Sequence, residues 1–481
     1  NEMMRWQRVK IVFGLTLLIF LISCGGLESR SLKSEDSEEA LKVSESYQTA
    51  PNTRLNKNAL PPIMSHSSSA SFKFSCTTPP CEFKCKLDDR PWKKCRSPKS
   101  YQNLTDGVHT FKVKAISNGI ADPTPAKYQW TIITHDYWTP TSIPDPVVLT
   151  ARYYNTAVWT GSVMIIWGGV DESGISNSGA RYDPITDTWT PASTLNPPKE
   201  RYYHTAVWAN GYGMIIWGGF DGSSNLNDGA IYKPDQNSWT AISTTNAPSI
   251  RIHHTAVWTG DKMIIWGGEN IADYYNTGGI YRPDNDSWTE VSTTNAPSAR
   301  SLHTAVWADG YGMIIWGGGP NTGSLNDGGI YNPDTDQWTQ ISTTNAPSKR
   351  YYHTAVWTGT EMIVWGGSPG ANFLNDGGIY NPNNNSWSAI STTGAPSGRV
   401  YHTAVWTGSE MIIWGGSEAS NAFTNDGFKY NPTTNSWTQI STLDAPSARR
   451  YHTAIWADSR MIIWGGGGEA GKLNTGGAYY P

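Results

Sequence analysis

Between residues 136 and 481 the chain alternates short apolar runs with polar or glycine-rich breaks at a fixed interval. The run His204-Thr205-Ala206-Val207-Trp208 returns from His254, His303, His353, His402 and His452, and Asn155 fills the histidine's place in the first copy. Successive intervals are 49, 50, 49, 50, 49 and 50 residues, which makes seven copies in tandem. In every copy a second apolar run ends in Trp-Gly-Gly, followed by Asn-x-Gly and Tyr-x-Pro. Runs this short, bounded by turn residues, predict strands rather than helices. In the second copy the four predicted strands are Thr205 to Trp208 (innermost), Met214 to Trp217, Ala230 to Tyr232, and Trp239 to Ile242 (outermost). Gly218 and Gly219 mark a strand end where a side chain would collide with the next copy or need a forbidden φ.

The last copy stops at Tyr479-Tyr480-Pro481, short of its fourth strand, whereas a spare Trp138-Thr139 precedes the first copy. The N-terminal segment is therefore expected to lend its strand to the last copy and close a ring. Three Trp in each of seven copies account for 21 of the 24, and Trp6, Trp92 and Trp130 complete the set. Tryptophan is thus primarily a packing element here. A period near 50 with Gly-Gly marks resembles that of kelch propellers, including the central domain of galactose oxidase. The resemblance implies an all-β, seven-bladed propeller over residues 136–481.

Residues 61–135 carry a different pattern. Ser71-Phe72-Lys73-Phe74 and Thr110-Phe111-Lys112-Val113-Lys114-Ala115 alternate as half-buried strands do, and Asp106-Gly107 signals a tight turn. Four of the five cysteines lie here: Cys76, Cys81, Cys85 and Cys95. An even number in a small exported domain reads as two disulfides. Three pairings are possible, and Cys85–Cys95 with Cys76–Cys81 is favoured; a zinc site lacks a histidine at useful spacing. Cys85-Lys86-Leu87-Asp88, Trp92, Cys95, Asp106-Gly107, His109-Thr110-Phe111, Tyr128 and Trp130 resemble the Ig-like or fibronectin-like modules of bacterial surface proteins. Such modules act mostly as spacers, with Cys76 and Cys81 departing from the usual single pair. His109 is expected to face outward.

The first residues are an address. Arg5, Arg8 and Lys10 precede an uncharged stretch from Ile11 to Ile22. Twelve residues are too few to cross a bilayer, which takes about 18–20, but they suit a signal peptide. Leu21-Ile22-Ser23-Cys24-Gly25 resembles the lipobox of bacterial lipoproteins, which implies acylation of Cys24 and an outer-membrane or surface location. Residues 1–24 are then the signal and lipobox, and residues 25–60, rich in Ser, Glu, Lys and Asn, a flexible tether.

Composition adds exclusions. Charged residues make up 16% of the chain, against roughly a quarter in ordinary domains. Net charge is −4, so no overall basic footprint for nucleic acid exists. Gly466-Gly467-Gly468-Glu469-Ala470-Gly471-Lys472 imitates a phosphate loop, but Leu473 replaces its hydroxyl residue and a strand follows. Asp221-Gly222-Ser223-Ser224-Asn225 lacks the remainder of a calcium ligand set. No cysteine follows Cys95, so the Cys–Tyr crosslink of galactose oxidase has no counterpart. No cofactor and no metal are expected.

Residues repeated in every copy do the same work seven times, which makes the six histidines a hydrogen-bonded scaffold. The seven arginines (Arg152, Arg201, Arg251, Arg300, Arg350, Arg399 and Arg449) are either scaffold or a cationic ring able to hold a carboxylate or sulfate. Positions that vary are the candidates for binding. Between arginine and histidine these are Tyr153, Tyr154, Tyr202, Tyr203, His253, Tyr351, Tyr352, Tyr401, Arg450 and Tyr451, joined by Arg251, Tyr274 and Tyr275 in the third copy. Tyrosine and arginine on a rigid rim suit a sugar or a polypeptide loop. The leading expectation is a monomeric, non-catalytic recognition module for a glycan or protein. The second is a carbohydrate-active enzyme, as the mutarotase among kelch relatives implies, with an acid or base near His253.

Overall fold

The computed structural model describes residues 49–420 and 422–481. The signal segment, Cys24 and most of the expected tether lie outside the described residues. Residues 51–481 form one compact unit. It is all-β, with a single 3-10 turn at Lys57–Ala59.

Seven four-stranded antiparallel sheets occupy the repeat region. In the second copy the strands are Thr205–Ala209, Gly213–Trp217, Gly229–Lys233 and Ser238–Ala241, each within one or two residues of its expected place. They pair in simple succession, with Thr205 opposite Trp217, Trp217 opposite Gly229 and Ala230 opposite Ala241. Innermost strands of successive copies contact one another in cyclic order, and Thr453–Ala457 of the last copy meets Thr156–Trp159 of the first.

The second strand explains why its sequence lacks polar alternation. Met214 and Ile216 pack on the first sheet, with Ile165 and Trp167, whereas Ile215 and Trp217 pack on the third, with Met263 and Ile265. Both faces of each sheet are covered, so every residue of the run is apolar and fully buried. Crowding also dictates the glycine that follows. Gly218 has φ +68°, and a Cβ there would lie 2.6 Å from His254 Cε1 of the next sheet.

The lent strand is present. Tyr137–Pro140 pairs with Gly476–Tyr480, placing Trp138 opposite Tyr479. Trp138 Nε1 donates to the Ser441 carbonyl at 2.9 Å, and Asp136 accepts from the Tyr479 hydroxyl at 2.8 Å.

The repeated arginines are staples inside each sheet. All seven are fully buried. Arg251 donates to the carbonyls of Ser249 (2.9 Å), Gly267 (2.8 Å) and Thr277 (2.8 Å), tying three loop segments together. This corrects the expectation that Arg251 touches a ligand, because none of its surface is left to do so. Burial lowers its pKa to about 10, which still leaves it charged at neutral pH. Arg251→Met is expected to destabilise the fold by about 3–5 kcal/mol, since several buried carbonyls lose their donor together. Urea unfolding of the variant measures this; an unchanged midpoint contradicts the staple role.

In the smaller module, strands run in the order Met64–Ser65, Ala126–Ile132, Gly107–Ser117, Glu82–Leu87, Lys93–Cys95. Phe72, Phe111, Val113 and Trp130 form its core. Both favoured disulfides, Cys76–Cys81 and Cys85–Cys95, are present. Two expectations change. Thr53–Leu55 is already a strand paired with Phe74–Cys76, so folded structure starts before residue 61. Buried Asp122 explains it, accepting from the Thr53 amide at 2.8 Å. His109, expected to face outward, is buried, with Nδ1 2.9 Å from Asp88 and Nε2 2.7 Å from the Thr105 carbonyl.

Candidate functional site

The seven innermost strands surround a channel lined by their Ala, Val or Ile, and Trp side chains, with a cavity of about 530 Å³. Each strand is entered through one residue with a left-handed backbone. These residues are Tyr154, Tyr203, His253, Leu302, Tyr352, Tyr401 and Tyr451, with φ between +52° and +59°. Such a conformation favours glycine or asparagine, and a bulky residue there costs on the order of 1–3 kcal/mol. Here tyrosine stands at five of the seven positions.

The rings of these residues touch side by side around the channel mouth. Centroid separations are 4.7 Å for Tyr154–Tyr203, 4.2 Å for Tyr203–His253, 4.6 Å for Tyr352–Tyr401, 4.3 Å for Tyr401–Tyr451 and 4.4 Å for Tyr451–Tyr154. Leu302, whose amide donates to the His253 carbonyl, occupies the one aliphatic position. Burial, together with the hydroxyl bonds to Tyr203 and Tyr451, pushes the Tyr154 phenol far above its ordinary value. Burial first, and then the hydroxyl bond to Tyr451, pushes Tyr401 up to about 12. The mouth is therefore a neutral, hydroxyl-bearing aromatic collar.

Further aromatic rings pack against the collar and widen it. Tyr202 stacks on Tyr154 at 5.9 Å, Tyr153 meets Tyr154 edge-on at 4.8 Å, and Tyr351 meets Tyr352 edge-on at 5.0 Å. The Arg450 guanidinium lies 4.7 Å from the centre of Phe423 and 5.0 Å from that of Tyr451. Tyr275 covers Arg251 at 4.5 Å, and its hydroxyl accepts from Asn270. It is thus committed to the arginine staple more than to the mouth.

In the third copy the collar acquires a charge. His253 Nδ1 lies 2.6 Å from Glu269 Oε1, which makes that nitrogen the proton donor. Burial works to raise the Glu269 carboxyl, but the bond to His253 and its charge outweigh burial and hold it below the ordinary 4.5. Tyr274 is pushed up to about 12, first by burial and then by its bond to Glu269. Its hydroxyl also reaches Asn321. Glu269 was not among the expected site residues, yet its signal is legible. It follows Gly267-Gly268 at a position that carries Val170, Phe220, Gly319, Ser368, Ser417 or Gly467 elsewhere.

Below the collar the repeated histidines sit one per junction between sheets. His204 Nε2 is 2.9 Å from Thr156 Oγ1 of the preceding sheet, and each later histidine repeats this contact. Asn155 closes the circle by donating to Thr453 at 3.4 Å. A cavity of about 740 Å³ lies near the opposite ends of these strands, among Arg181, Trp208, Tyr212 and Lys233. It is far from the collar and belongs to a single junction.

The model of the KLHDC2/KLHL20/DRC7 kelch-repeats domain matches residues 127–296, 253–398 and 352–479. The chain belongs to the kelch-repeat family. Those overlapping matches span most of the chain and cover all the four-stranded sheets. No curated protein matches it. Membership in the family fits a propeller module that engages other proteins. The repeated Arg, His and Trp set is the scaffold of these copies, and residues that differ between copies lie at the collar and its surrounding loops.

Proposed function

We propose that this protein is a lipid-anchored, exported recognition protein whose seven-bladed kelch propeller binds a glycan or protein ligand on the tyrosine collar. The collar of seven strained backbone positions, five of them tyrosines, carries the reading. Tyrosine combines a stacking face with a hydroxyl and loses little conformational entropy on binding. The rings lie side by side around the channel mouth, so the ligand rests on the collar with its apolar faces on the rings and its polar groups on Tyr203, His253 and Tyr401.

The lipobox-like Cys24 and the positive n-region support acyl anchoring at the outer membrane or cell surface. Residues 25–48 serve as the tether. The two-disulfide module, read as Ig-like, separates the propeller from the anchor. The cyclic succession of sheets supports a monomer.

A carbohydrate-active enzyme is the second reading, favoured by the His253–Glu269 pair. An imidazole whose Nδ1 is held by a carboxylate offers Nε2 to a ligand hydroxyl. In that case His253→Gln abolishes turnover of a bound sugar and leaves its binding in place.

The test is a broad glycan array probed with residues 51–481. Replacing Tyr154 and Tyr401 together by alanine is expected to weaken any bound glycan at least about tenfold, since two stacking contacts are lost. A blank array for the parent chain removes the glycan half of the reading and leaves a protein ligand.

A further inference from the structure

The chain's small net charge conceals two opposite halves. Residues 51–135 hold thirteen Lys and Arg against five Asp and Glu, whereas residues 136–481 hold seventeen against twenty-eight. In the small module this positive charge is concentrated on one sheet face. Its strands place Lys127, Lys112 and Lys86 in one cross-strand row, and Lys114, Lys84 and Lys94 in the next. The residues between them, Cys85, Leu87, Phe111 and Val113, point into the core. All six lysines therefore share the solvent side.

Folding alone gives no reason for this arrangement. Like charges directly opposite one another destabilise a sheet. Lysines on edge strands guard against aggregation, but Lys84, Lys86, Lys112 and Lys114 lie on two strands that are paired on both sides. Of the six, only Lys94 has a carboxylate partner among the described residues, Glu82 at 2.6 Å. The same face changes character at one end. Met64 and Val108 lie in one row with Thr131 between them, and they are 40% and 60% exposed. Trp92 adds a half-buried ring 4.7 Å from the Lys114 ammonium.

We infer that this face docks the module on an anionic phospholipid bilayer, lysines against the headgroup phosphates and Met64 with Val108 in the interfacial layer. Basic side chains near such a surface each strengthen binding about fivefold, and apolar residues beside them add burial. A nucleic acid would satisfy the lysines but would leave the apolar end without a partner, so the bilayer accounts for more of the face. The module directly follows the tether, which agrees with the anchor reading. The inference does not depend on acylation, and its test omits Cys24.

Residues 51–481 form one compact unit and are tested without an acyl chain. Co-sedimentation is measured with phosphatidylcholine vesicles, with and without phosphatidylglycerol. Binding is expected only to the anionic vesicles, and it should fall steeply near 1 M salt, where the screening length is about 3 Å. Reversing Lys84, Lys86, Lys112 and Lys114 to Glu should weaken it roughly 100-fold or more. Val108→Asp should weaken it severalfold without altering the melting temperature. Should the reversed variant fail to fold, the Val108 variant and the salt dependence decide. Equal binding to neutral vesicles overturns the inference, as does unchanged binding by a folded reversed variant. Tight binding of a short oligonucleotide without vesicle binding also overturns it and assigns the face to nucleic acid. Because Cys24 is absent throughout, these outcomes leave the acyl anchor to be judged separately by the mass of the mature N-terminus.

Discussion

Below about pH 6 the protein is expected to lose stability steeply, because six histidines are buried in the neutral form. Burial, reinforced by the neighbouring arginine, lowers His204, His303 and His402 from the ordinary 6.5 to about 3. The same causes, in the same order, hold His254, His353 and His452 well below 6.5. The unfolded chain takes up protons from about pH 6.5 downward while the folded chain does not. Stability is therefore complete above that pH and is lost as pH falls toward the folded values. Each histidine contributes up to about 1.4 kcal/mol per pH unit, so six approach roughly 8 kcal/mol per unit. Typical domains have only about 5–15 kcal/mol in total. Unfolding within about two pH units is the consequence, and it is followed by circular dichroism melts between pH 8 and pH 4. His303→Asn, which copies the natural first repeat at Asn155, should make the decline shallower by about one sixth. A melting temperature that stays flat down to pH 4 contradicts the account.

Trp138→Ala should be the most damaging substitution at the ring's closure. Trp138 is almost wholly buried, 5.6 Å from Trp414 and 5.2 Å from Tyr479, in a strand from the opposite end of the repeat region. Removing a buried indole costs about 3–5 kcal/mol. Here the loss also loosens the Tyr137–Pro140 strand that completes the last sheet. Amide exchange should consequently rise first at Gly476–Tyr480, ahead of any other sheet. Uniform loss of protection across all sheets would mean that the ring is not closed at this seam.

Periodicity made most of the scaffold legible. The strands beginning at Thr205, Gly213, Gly229 and Ser238 were expected within two residues because apolar run, glycine pair and proline recur at fixed spacing. The closing strand is legible in Trp138-Thr139 and the number of disulfides in the cysteine count, and the favoured pairing of the three possible is the one present. What escaped was contact between residues about 49 or 50 positions apart. Nothing local in Tyr154 announces that its ring meets both Tyr203 and Tyr451. Arg251 stands beside variable positions, yet two of its three carbonyl partners lie on loops 16 and 26 residues away. Glu269 could have been found as the one charged residue at its repeat position. The burial of His109 and the strand at Thr53 are less legible, because each depends on a loop carboxylate far along the chain, Asp88 for His109 and Asp122 for Thr53.

The central claim is that repeated positions hold the propeller and variable positions at its mouth bind. Its most direct test combines two readouts, array binding and melting temperature, on Tyr154→Ala/Tyr401→Ala and on Arg251→Met. The collar variant is predicted to lose ligand while staying folded and melting well above Arg251→Met, since its rings are only half-buried whereas Arg251 is enclosed. Arg251→Met is predicted to melt far lower and yet bind normally where it remains folded. Undiminished binding by the folded collar variant would contradict the claim and place recognition elsewhere on the molecule.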